Sequence, residues 1–72
     1  MNDTDATEIS ALVRSVIVTF GLPFAVLAVG ECAAGWNIHV RAGTGGIVHI
    51  TVPDSRPFAM RYAIREKLEA EL

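Results

Sequence analysis

Seventy-two residues, half of them apolar, with eight acidic and six basic side chains and a formal net charge of −2, exclude a disordered chain and any overall field for nucleic acid. A single cysteine, Cys32, excludes an internal disulfide, and no paired Cys/His spacing offers a zinc staple in its place. What remains is one small domain, of a size at which a single core outweighs the entropy of ordering only narrowly and a partner is a common remedy.

The uncharged run from Ser15 to Gly30 is cut by Gly21-Leu22-Pro23. A membrane helix needs roughly 20 continuous apolar residues, and proline costs about 3 kcal/mol inside a helix, so the run reads as two short buried elements and no membrane span. The residues ahead of it include Asp3, Asp5 and Glu8, where a secretory signal needs positive charge. With one unpaired cysteine, the expected setting is the cytoplasm.

From Asp5 to Phe20, the residues Ala6, Ile9, Leu12, Val13, Val16, Ile17 and Phe20 recur at helical spacing, which predicts an amphipathic helix lying on a core. Asp5 and Glu8 have the spacing of a capping box, and Gly21 supplies the stop. Phe24 to Cys32 is apolar on both parities, as in a strand covered on both faces or facing a partner. Two alternating strands follow, Trp36, Ile38 and Val40 pointing inward in one and Val48, Ile50 and Val52 in the other.

Gly43-Thr44-Gly45-Gly46 predicts a tight hairpin with positive φ available at its glycines. Centred on Thr44, the pairing sets His39 opposite His49, Arg41 opposite Ile47 and Asn37 opposite Thr51, and shifted by two residues, which parity equally allows, it sets Arg41 opposite His49; either way the open face carries both histidines and an arginine. The last helix starts at Pro57, with Asp54 or Ser55 as cap, and runs to about Glu71. Met60, Ile64 and Leu68 form its inward row, Phe58 and Tyr62 lie to one side, and Arg65–Glu69 and Lys67–Glu71 are i,i+4 pairs. The predicted fold is α+β, order α-β-β-β-α, with two helices on one face of a three-stranded antiparallel sheet and the other face uncovered.

Chemistry is thinly represented. Two histidines fall short of the three or four ligands zinc requires, Cys32 has no activating neighbour in sequence, and the glycine run joins two strands and leads into no phosphate-binding helix. No catalytic residue, metal or cofactor is assigned, and an enzyme is not expected. The element order is also that of double-stranded RNA-binding domains, and Ser55, Arg56, Ala59, Ala63 and Leu68 are similar to the residues that open and pack that family's last helix. Pro57 and Met60 stand where the family carries lysines. The resemblance implies phosphate contacts from Arg56, Arg61 and Arg65, to which the hairpin adds Arg41.

The favoured expectation is a non-enzymatic domain that associates with itself or another protein through exposed sheet surface or an edge strand, because the first strand is apolar on both faces and two helices cover only one, which leaves a broad apolar flank of Ile47 with either Ala25, Leu27 and Val29 or Phe24, Val26 and Ala28. Its contact residues are Leu27, Val29, His39, Arg41, Ile47 and His49. Nucleic-acid binding is the alternative.

Overall fold

The computed structural model describes residues 6–72. Helix α1 spans Ala6–Phe20, and the expected capping residue Asp5 lies outside the described residues. Its end is fixed as the sequence predicts. Gly21 takes φ +61°, its N–H donates to the Val18 carbonyl at 3.3 Å, and the Leu22 N–H donates to that of Ile17 at 2.9 Å. These two bonds form a Schellman stop, and they swing Leu22 and Phe24 into the core.

Strands β1 (Phe24–Cys32), β2 (Gly35–Ala42) and β3 (Ile47–Val52) follow, paired antiparallel in the order β1-β2-β3, and helix α2 (Pro57–Glu69) closes the chain. The sheet is thus a meander with β1 and β3 at its two edges. The β2–β3 register is His39 to His49, Val40 to Val48, Arg41 to Ile47 and Asn37 to Thr51, the pairing centred on Thr44 among the same-parity registers that the inward valines and isoleucines allow. Of the glycines between these strands only Gly45 adopts positive φ, +97°. Its N–H donates to the Ala42 carbonyl at 2.8 Å and Ala42 N–H donates to Gly46 at 2.7 Å, closing a three-residue loop over Gly43, Thr44 and Gly45.

One face of the sheet presents Trp36, Ile38, Val40, Ile50 and Val52 to Ile9, Val13 and Val16 of α1 and to Met60, Ile64 and Leu68 of α2, all buried in one cluster. Both helices therefore lie on the same side, α1 over β1 and α2 over β3. Each large side chain buried there contributes on the order of 1.5–3 kcal/mol against its exposed state. The indole N–H of Trp36 donates to Asp54 Oδ1 at 3.3 Å.

That bond gives Asp54 a use other than capping α2. The N-cap is Arg56, which makes no side-chain cap bond, and Ser55 instead donates to the Pro53 carbonyl at 3.5 Å. Proline in the first turn removes one of the free N–H groups a cap would have served. The helix ends at Glu69, so Arg65–Glu69, at 3.2 Å, is the i,i+4 ion pair that forms, while Glu71 lies beyond the helix.

Strand β1 departs from the expected pattern. Its register with β2 runs Phe24 to Ala42, Ala25 to Arg41 and Val26 to Val40, then slips so that Ala28 meets His39, Val29 meets Ile38 and Gly30 meets Asn37. Leu27 is the extra residue of a β-bulge. Without it the strand alternates Phe24, Val26, Val29 inward and Ala25, Ala28, Gly30 outward. A run that reads as apolar on both parities is one alternating strand carrying one inserted residue.

Candidate functional surface on the sheet

The uncovered face is built from three short rows: Ala25, Ala28 and Gly30 of β1, Asn37, His39 and Arg41 of β2, and Ile47, His49 and Thr51 of β3. His39 and His49 face each other with ring centroids 4.5 Å apart in an edge-on arrangement at 77°. Asn37 Oδ1 accepts from the Thr51 hydroxyl at 3.0 Å and lies 3.2 Å from His49 Nε2. An amide oxygen only accepts, so this second bond requires His49 in its Nε2–H form. The middle of the face is consequently an ordered polar stripe flanked by small side chains.

This corrects the expectation of a broad apolar flank. The bulge turns Val29 inward, where it packs half-buried against the core, and leaves alanine and glycine in its place outside. Ile47, 63% exposed, is the large apolar residue of this face, and Leu27, 44% exposed, lies at the bulge of the opposite edge strand, where it lines the groove beside α1. His39, Arg41 and His49 are exposed between them.

The free edge of β1 is the less expected feature. It is the longest strand at nine residues, it carries no charge from Phe24 to Gly30, and it lacks the lysines and prolines that commonly blunt an edge. Its hydrogen-bond phase can be followed from the loop: the Gly43 N–H donates to the Pro23 carbonyl at 2.8 Å, so alternation turns the N–H and C=O of Val26 away from β2 and toward the open edge. The neighbouring outward donor, Phe24 N–H, is already used by the Leu22 carbonyl at 2.9 Å.

Alongside this edge, α1 and β1 form a shallow groove of about 340 Å³ between Thr7, Ser10 and Arg14 on one side and Val26 to Val29 on the other. Arg14 and, at the far end of the strand, Glu31 are exposed, and neither makes a hydrogen bond or ion pair with another described residue.

The four arginines of the nucleic-acid alternative are not brought together. Arg41 projects from the open face, whereas α2 lies on the opposite side of the sheet. Arg61 donates to the Ser15 hydroxyl at 2.8 Å, bracing α2 against α1, and Arg65 is shared between Glu69 and the Phe20 ring, whose centroid lies 4.1 Å from the guanidinium carbon. Arg56 sits at the start of α2. A small cleft of about 200 Å³ collects Phe20, Phe58 and Tyr62 around Arg61 and Arg65. The sequence marked it only through the excess apolar width of α2.

Cys32 is half-buried and free. Among the described residues no three His, Cys, Asp or Glu side chains gather as a metal site, and no helix is long and apolar enough to cross a membrane. No family model matches the sequence, and neither curated proteins nor solved structures yield a match.

Proposed function

We propose that this protein is a small non-enzymatic association domain of the cytoplasm, which binds a second polypeptide chain, its own or another, through the open side of its sheet. Leu27 on the β1 edge and His39, Arg41, Ile47 and His49 on the exposed face are the contact residues. Val29 contributes from beneath by shaping the strand.

The reading is supported chiefly by one observation, that the longest strand of the sheet lies at its rim with seven uncharged residues and no further strand paired to it among the described residues. Such an edge is a template for another strand, and main-chain pairing there gives affinity without a deep pocket. The polar stripe beside it provides directional groups of the sort found at the rim of protein interfaces.

Sedimentation of the wild-type protein at high micromolar concentration tests self-association, and Leu27→Lys places a charge on the rim without touching the core. We expect a species heavier than the monomer for the wild type and a shift toward monomer for L27K. A wild-type chain that stays strictly monomeric at those concentrations removes the reading's main support.

A further inference from the structure

The charges along the β1 rim say which chain fits it. In the groove Arg14 stands beside Val26, near the beginning of the strand, and Glu31 stands at its end. Glu31 pairs with the buried Trp36 across β2, so it belongs to the inward parity and lies on the same side of the sheet as α1. One rim thus carries one positive and one negative group, of opposite sign, at opposite ends, on the same side, and each without an intramolecular partner among the described residues. A two-fold axis across the strand brings each to the other.

We propose that the occupant of the β1 edge is a second copy of this chain, paired antiparallel through β1 about a two-fold axis at Val29. This rests on the association reading and deepens it. Val29 then faces Val29 of the partner subunit, Gly30 faces Ala28 of the partner subunit, and Glu31 faces Val26 of the partner subunit. Inward residues meet inward residues and outward meet outward, as antiparallel pairing demands. Arg14, beside Val26, receives Glu31 of the partner subunit, and the symmetry makes this pair twice. The two sheets become one of six strands, closed at this edge.

The bulge is compatible with this arrangement and sets its limit. Leu27 is outside the β1–β2 ladder, so in the counting above it is passed over in both copies. The extra twist it introduces works against a flat, indefinitely extensible rim. An isologous contact uses up the β1 edge of both chains in a single step, so assembly stops at two. An acidic extended peptide could also reach Arg14, but it would leave Glu31 unanswered, whereas a second copy carries both complementary charges at the spacing the two-fold axis requires.

Charge exchange decides the matter. Arg14→Glu and Glu31→Arg should each weaken dimerisation by about tenfold in low salt, because each breaks two symmetry-related pairs and sets like charges together. The double variant R14E/E31R should return to within about threefold of wild type, since the pair is rebuilt with its signs reversed. Circular dichroism of each variant establishes that the fold is retained, as both side chains are exposed. A wild-type dimer whose affinity ignores both single changes, or whose double variant dissociates as readily as the worse single one, overturns this pairing while leaving the association reading in place. A wild-type monomer at high micromolar concentration overturns both.

Discussion

At the scale of single residues the least replaceable position is a glycine. Gly35 opens β2 with φ +136°, and a Cβ placed on it would fall on the Val52 carbonyl oxygen and within 2.7 Å of the Asp54 nitrogen. The preceding turn residues, Ala33 and Ala34, have no positive φ, so the hairpin lacks a mirror-image turn and Gly35 absorbs the reversal. It also lets the chain beyond β3 pass close enough for Asp54 to accept from Trp36. Gly35→Ala should cost about 2–4 kcal/mol through overpacking and backbone strain together. The control is Gly30→Ala, on the open face with ordinary φ and nothing within 4 Å of the added carbon, which should change stability by no more than about 0.5 kcal/mol. Urea titration of both variants checks this, and equal midpoints would show that the close approach at Gly35 is unimportant.

Elements differ in how plainly the chain announces them. Helix α1 was legible because its apolar period, its glycine and its proline all agree, and the inward faces of β2 and β3 because two alternating strands allow only same-parity pairings, among which the three-residue loop selects the one that sets His39 against His49. In β1 the signal was ambiguous for a physical reason. A bulge adds one residue without changing the composition around it, and alanine and glycine beside valine leave the two parities nearly equal in apolarity, so periodicity alone cannot locate the slip. The cap of α2 escaped notice because Asp54 suits two roles and tertiary structure assigns it to Trp36. The bulge makes a sharp forecast. Deleting Leu27 removes the surplus residue, leaves Phe24, Val26 and Val29 inward and should cost less than about 1.5 kcal/mol, whereas deleting His39 from the central strand β2, which has no residue to spare, sets Ile38 and Val40 on opposite faces and should cost several times more. Thermal melts of the two deletions compare them directly. Equal damage from both would mean that Leu27 is a structural member of the strand and not an insertion.

For the whole molecule the governing fact is that the described residues enclose one core between two helices and one face of a sheet, while none of them covers the second face or pairs with the nine-residue rim. A domain of this size has little stability to spare. If a second chain covers the rim, association and folding are linked, because a dimer of native chains stands in equilibrium with two unfolded ones. Each tenfold rise in protein concentration then adds about 1.4 kcal/mol per mole of dimer, or about 0.7 per chain. For a chain this short, that corresponds to a rise in Tm of roughly 3–6 °C per decade once the concentration exceeds the dissociation constant. Calorimetry from about 3 to 300 μM should show such a slope for the wild type and a smaller one for L27K, whose rim bears a charge. The comparison separates rim pairing from nonspecific crowding of apolar surface, since L27K removes one exposed leucine and leaves Ile47, Phe58 and Tyr62 as they are. A Tm that stays constant over the whole range would place the stability of this fold entirely within one chain, and the bare rim would then have no part in holding it together.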